Sequence, residues 1–356
     1  MSGVPPDPAA LLRELTEFGT RVAGLMPALH AASNAPIGTT PRERVWQNGK
    51  VSLYRYGALA RPAGVAPLLI CFALVNRPYV LDLQPDRSLI RALLERGLDV
   101  YLIDWGSPDN TDRDTGLDHY INRYLDGAVR HVLESQAIES LNLLGVCQGG
   151  AFALCYTALQ PARVRNLITM VTPVDFRTPE NLLSKWVQGV DAGLLTANGN
   201  VQGSYLNSIY LALMPFRLMQ QKYVALASQS RSSAQLENFM RMERWIFDSP
   251  DVAAAAFREF IEQFYQQNRL VRGGLEIGGH AVDLRQITQP VLNIYAERDH
   301  IVPPSASVPL RSLVASRDYE TLAVDVGHIG MYVSSKAQAI VPAKIYGWLL
   351  ERAGPQ

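Results

Sequence analysis

Leu141-Asn142-Leu143-Leu144-Gly145-Val146-Cys147-Gln148-Gly149-Gly150 joins a continuous apolar run to a Gly-x-Cys-x-Gly-Gly turn, and a helical pattern follows over residues 150–159. A short apolar run that ends at glycine and gives way to a helix reads as a strand buried on both faces. A strand, a sharp turn carrying a nucleophilic side chain, and a helix make a nucleophile elbow, with cysteine where serine is more usual. The turn is strained, so the residues two before and two after the nucleophile must be very small for strand and helix to approach. The helix start also brings the positive end of its dipole near the sulfur. The competing reading of Cys147 is a buried structural thiol in a tight turn.

Outward from this stretch, further apolar runs at 68–75, 100–103, 167–171, 291–295 and 321–324 alternate with helical patterns at 87–96, 117–135, 305–314 and 337–352. That alternation predicts an α/β fold, a mostly parallel sheet flanked by helices. Ahead of it, an amphipathic helix is expected over about residues 8–30, with Leu11, Leu12, Leu15, Phe18, Val22 and Leu25 at helical spacing. Asn48-Gly49, flanked by Val45, Trp46, Val51 and Leu53, signals a β-hairpin with a type I′ turn. The alternation stops after Thr172-Pro173. Residues 177–287 are rich in aromatic and helical segments, then the strand pattern resumes. The expected organisation is a core of residues 1–176 and 288–356, with a helical cap or lid formed by 177–287.

An elbow nucleophile needs an acid and then a histidine later in the chain. The run at 291–295 is followed by Ala296-Glu297-Arg298-Asp299-His300-Ile301-Val302-Pro303-Pro304, which puts Asp299 where an orienting carboxylate belongs. Glu297 and Asp283 are weaker candidates. Of the six histidines, His119 and His131 precede the nucleophile, His30 lies near the N-terminus and His280 at the end of the cap. His300 would have to reach around its own turn. His328, in the Gly327-His328-Ile329-Gly330 loop after the last apolar run, is the candidate base. Oxyanion donors are expected from the backbone amide of Gln148 and from the turn after the first parallel strand, at Val75, with Asn76 as the alternative.

The chain has 356 residues, with 33 basic and 33 acidic, 48% hydrophobic and 19% charged residues. A balanced charge provides no field to collect a polyanion, so nucleic acid is not an expected partner. The longest apolar run, at 68–75, falls well short of the roughly 18 residues of a membrane span. No signal-peptide pattern opens the chain, and a soluble, intracellular protein is expected. Three cysteines make no disulfide framework and no metal-type spacing, and no cofactor motif is apparent. Cys71 and Cys155 read as core residues.

Several longer stretches then carry a resemblance. They are Leu74-Val75-Asn76-Arg77-Pro78-Tyr79, Tyr101-Leu102-Ile103-Asp104-Trp105-Gly106, the Cys147 box and Thr172-Pro173-Val174-Asp175-Phe176. Arg241-Met242-Glu243-Arg244-Trp245-Ile246-Phe247-Asp248-Ser249-Pro250 and the His328 loop complete the set. Together they resemble the polyhydroxyalkanoate synthases, of the α/β-hydrolase superfamily, and most closely the short class III catalytic subunit. The resemblance implies an acyltransferase that polymerises (R)-3-hydroxyacyl-CoA, mainly 3-hydroxybutyryl-CoA, with release of CoA. It implies Cys147 as nucleophile, with Asp299 and His328 as its partners. It also implies a growing polyester chain, a second subunit of the PhaE type, a homodimer or hetero-oligomer, and a place on cytoplasmic polymer granules. The alternatives are a capped cysteine hydrolase of esters and a non-catalytic granule-associated subunit.

Overall fold

The computed structural model describes residues 29–213 and 232–353, with Arg13, Thr16, Thr20, Pro27 and Leu226. Apart from isolated positions, the expected helix over 8–30 lies outside the described residues, as do Phe216 and Tyr223 of the insertion.

Eight strands form one sheet: β1 (Arg42–Asn48), β2 (Val51–Tyr56), β3 (Leu68–Cys71), β4 (Val100–Asp104), β5 (Leu141–Val146), β6 (Val164–Met170), β7 (Val291–Ala296) and β8 (Tyr319–Val324). Their spatial order is β1-β2-β4-β3-β5-β6-β7-β8. From β4 to β8 every neighbouring pair is parallel, and β2 runs antiparallel to both β1 and β4. The expected hairpin forms, but its turn is shifted by one residue. Asn48 pairs with Val51, so Gly49 and Lys50 occupy the loop and only Gly49 has positive φ, 57°. A type I′ turn needs positive φ at both central positions, so that assignment is corrected.

Alternation within the parallel strands sorts side chains to two apolar layers. Leu69, Cys71, Tyr101, Ile103, Leu141 and Leu143 face one layer, where helices α1 (Asp126–Gln136) and α2 (Gln148–Leu159) pack. Leu68, Ile70, Val100, Leu102, Leu144 and Val146 face the other, covered by α3 (Ser335–Leu350) and the helix Leu89–Leu94. Each aliphatic side chain so buried contributes about 1.5–3 kcal/mol. Asn142, the polar residue inside β5, is buried but satisfied: its amide donates to Ala66 O at 2.6 Å and its oxygen accepts from Asn166 at 2.7 Å. The result is a helix–sheet–helix sandwich with the carboxyl ends of the parallel strands at one edge.

The described residues of 177–287 are mostly helical, including Leu182–Val187, Ala192–Thr196, Gly203–Ala212, Ser233–Phe247, Ala254–Glu259 and a π-helical segment, Phe260–Gln266. The later part packs into the sheet's own core. Phe260 meets Phe152 of α2 at a ring separation of 6.0 Å, and Phe176 at 5.6 Å. Leu183, Val187, Ala192, Leu213 and Ile261 form a small separate core further out.

Candidate active site

Cys147 sits between β5 and α2 with φ 53° and ψ −125°, a conformation that an L-residue holds only under constraint. The constraint is visible on both sides. Its amide donates to Met170 O, and its carbonyl accepts from the Gly150 amide, each at 2.9 Å. The glycines are required by contact. A Cβ on Gly145 would lie 2.4 Å from the Gly150 Cα, and one on Gly149 would lie 2.3 Å from the Cys71 carbonyl oxygen. Cys147 is half-buried, whereas Cys71 and Cys155 are fully buried, and burial pushes both of those thiols up in pKa.

Asp299 lies in the turn after β7 and is fully buried at its side chain. Its Oδ1 accepts from the backbone amides of Ile301 and Val302, each at 2.9 Å, which fixes the carboxylate plane. Its Oδ2 faces His328 Nδ1 at 2.7 Å. A carboxylate accepts only, so Nδ1 carries a proton and Nε2 is left for chemistry. Cys147 and His328 line the same cavity, close enough for the sulfur to act on the imidazole, and the Tyr332 hydroxyl lies 3.2 Å from Nε2. Burial acts to lower the His328 pKa, but the Asp299 carboxylate and Cys147 outweigh it and raise it to about 10. An imidazole stabilised in this way in its protonated form is well suited to accept a thiol proton.

The chain therefore brings Cys147, His328 and Asp299 together. The weaker acids are elsewhere: Glu297 is exposed, and Asp283 caps a turn by accepting from the Arg285 amide at 3.0 Å. Gln148 opens α2, so its amide has no intrahelical acceptor. Its side chain does further work, accepting from the Leu74 amide at 3.0 Å and anchoring the loop that carries Val75. Trp105 holds the same loop, donating to Phe72 O at 2.8 Å. With Leu74 committed, the Val75 amide is the next donor along the loop, and Val75 and Asn76 both border the cavity above Cys147.

That cavity, about 180 Å³, lies between the carboxyl ends of the strands and the helical insertion. Its walls are mainly apolar and aromatic, among them Phe72, Leu206, Tyr210, Trp245, Ile261 and Tyr332. A larger open groove, about 1090 Å³, lies at the amino ends of the strands among Arg42, Arg55, Asp99, Glu139 and Arg165. It holds none of the candidate groups, and ligands of parallel sheets bind at the carboxyl edge. Trp245 and Tyr210 belong to the aromatic-rich segment that the sequence marks as a cap. Tyr332 was not among the expected site residues, although it follows His328 by four residues, one helical turn.

Comparison with known proteins agrees with this fold. A family profile described as "alpha/beta hydrolase fold" matches residues 66–335. A second, "Poly-beta-hydroxybutyrate polymerase (PhaC) N-terminus", matches residues 30–93. The poly(3-hydroxyalkanoate) polymerase subunit PhaC of Allochromatium vinosum is 50% identical over 351 residues, covering 97% of this chain and 98% of that one. The subunit of the same name from Synechocystis sp. is 47% identical, covering 89% and 86%. A monoacylglycerol lipase from Paleococcus ferrophilus has a similar fold, with TM-score 0.52, 16% identity, and coverage of 84% of this chain and 99% of that one. The lipase shows the fold alone; the PhaC subunits match nearly end to end. The chain is a member of the poly(3-hydroxyalkanoate) polymerase PhaC family, built on the α/β-hydrolase fold.

Proposed function

We propose that this protein polymerises (R)-3-hydroxyacyl-CoA, mainly 3-hydroxybutyryl-CoA, into polyhydroxyalkanoate and releases CoA through an acyl thioester on Cys147. The observation that carries the reading is a cysteine on a strained elbow, joined to a His328–Asp299 pair, beneath a mainly apolar cavity. His328 takes the Cys147 proton, the sulfur attacks the acyl carbonyl, and the CoA sulfur leaves with that proton. The amides of Val75 and Gln148 stabilise the oxyanion. His328 then accepts the proton of an incoming 3-hydroxyl, whose oxygen takes the acyl group and frees Cys147. Loading exchanges one thioester for another and is close to thermoneutral. Transfer makes an oxoester and is downhill. Asp299 orients the imidazole and stabilises its charge.

Residues 177–287 act as the cap over this site. The cap's aromatic side chains keep water from the acyl-enzyme, which separates polymerisation from hydrolysis. The catalytic chain works with a PhaE-type second subunit, as a homodimer or hetero-oligomer, at the surface of polymer granules. Among the described residues no helix is long and apolar enough to cross a membrane.

The test is incubation with 3-hydroxybutyryl-CoA, with and without a candidate partner subunit, following CoA and polymer together. Polymer with stoichiometric CoA, faster with the partner, is expected. Free 3-hydroxybutyrate without polymer would make the protein a hydrolase. Cys147→Ser, whose hydroxyl needs a stronger base, is expected to lose polymer formation on the order of a hundredfold or more.

A further inference from the structure

His328 Nε2 meets the Tyr332 hydroxyl at 3.2 Å, and both residues line the cavity that Cys147 borders. Tyr332 lies one turn beyond His328 on the helix His328–Val333, so the two side chains are held on one face by a shared backbone. The tyrosine is 2% exposed, and its ring is gripped edge-on by His328 at 5.6 Å, Phe72 at 6.1 Å and Trp245 at 6.4 Å. Its hydroxyl is therefore fixed at the floor of the cavity beside the base. The attack of Cys147 on an acyl-CoA makes no use of it.

The second half-reaction does have a use for it. A hydroxyl attacking the acyl-enzyme has four directions about its oxygen. One is its bond to carbon, one its hydrogen, which must point at His328 Nε2, and one the lone pair that forms the new ester bond. The last lone pair has no partner in a mainly apolar cavity unless a donor stands beside Nε2. Tyr332 is that donor by position.

We propose that Tyr332 orients the attacking 3-hydroxyl, donating its phenolic proton to the hydroxyl's spare lone pair while His328 accepts the hydroxyl hydrogen. The phenol is not consumed. The hydrogen of the alcohol passes to Nε2, the alcohol oxygen bonds to the acyl carbon, and the Cys147 carbon–sulfur bond breaks. The sulfur leaves as a thiolate that recovers the proton from His328. Before the alcohol arrives, the phenol oxygen and Nε2 meet each other directly, the contact seen here. This role rests on the polymerase reading above.

Tyr332→Phe tests it, because phenylalanine keeps the ring packing and removes only the hydroxyl. Wild type and variant are mixed with 3-hydroxybutyryl-CoA and quenched on the millisecond-to-second scale. The burst of CoA, which reports acylation of Cys147, is expected to stay within about twofold. Steady polymer growth is expected to fall about tenfold. Equal slowing of burst and growth would make Tyr332 a mere prop for His328 and overturn the role. Unchanged growth would overturn it too. Wild-type protein that yields free acid and no polymer would instead overturn the polymerase reading, so the two failures are separable.

Discussion

At the residue scale the site rests on a division of labour around one imidazole. Asp299 is saturated on Oδ1 by two backbone amides, so only Oδ2 addresses His328. Asp299→Asn would keep the first contact and lose the second, presenting an amide N–H to Nδ1 and favouring the wrong tautomer. Activity is expected to fall roughly 10³-fold or more, measured as CoA release. The same substitution has a signature in stability. The His328 pKa is raised from 6.5 to about 10 in the folded protein. A raised value contributes stability that is fully present below pH 6.5 and disappears as pH climbs through about 10. Without the carboxylate most of that contribution goes. Urea-denaturation midpoints of wild type and variant should therefore differ most near pH 6 and converge above pH 10. A gap that widens with pH would contradict the ion-pair account. Cys147, Asp299 and His328 were all legible in the sequence, because chain order and position after apolar runs select them. Tyr332 was not, because a tyrosine one turn from a histidine is ordinary until its hydroxyl is seen beside Nε2.

At the scale of elements the elbow depends on how closely α2 crosses the strand ends. A Cβ on Gly149 would strike backbone atoms of Cys71, the last residue of β3, and of Phe72 just beyond it at 2.3–2.5 Å, and β3 cannot yield without breaking its ladder. Gly149→Ala is expected to cost at least about 3 kcal/mol, seen in the urea midpoint or as loss of folded protein. Gly347 is the control. It lies in α3 with nothing within 4 Å of its would-be Cβ, and alanine there should stabilise by up to about 1 kcal/mol. Strand and helix positions were readable because burial on both faces leaves continuous apolar runs. The hairpin turn was misplaced by one residue, because the ladder between Asn48 and Val51 carries the asparagine into the strand. Residues 117–135 read as one helix but contain a π-helical stretch, His119–Leu125, before α1, and apolar spacing does not distinguish the two over so few turns.

At the scale of the whole molecule, one helix of the insertion reaches both the cavity and the N-terminal segments. Ser233–Phe247 sets Trp245 against Tyr332 and is tied down by Arg241, 9% exposed. Its guanidinium donates to Pro36 O at 2.9 Å, to Gln84 at 3.0 Å and to Glu237 at 3.0 Å. Arg241→Met would leave those acceptors unpaired. The expected cost is about 2 kcal/mol of stability by denaturation, with slower Cys147 acylation as Trp245 loses its seat. The Glu237 contact is a one-turn pair on the same helix, but the other two were not visible in the linear chain, since Pro36, Gln84 and Arg241 come from three distant segments. The sequence alone determined the sheet class, the elbow and the order of the candidate nucleophile, acid and base, because each is written in local spacing and hydrophobic pattern. The tertiary structure decided the tie from Gln148 to the Leu74 loop and the Tyr332 contact. It also drew residues after Val252 of the insertion into the main core. The reason is physical: those outcomes depend on side chains meeting across long stretches of chain, and no local periodicity records a meeting of that kind.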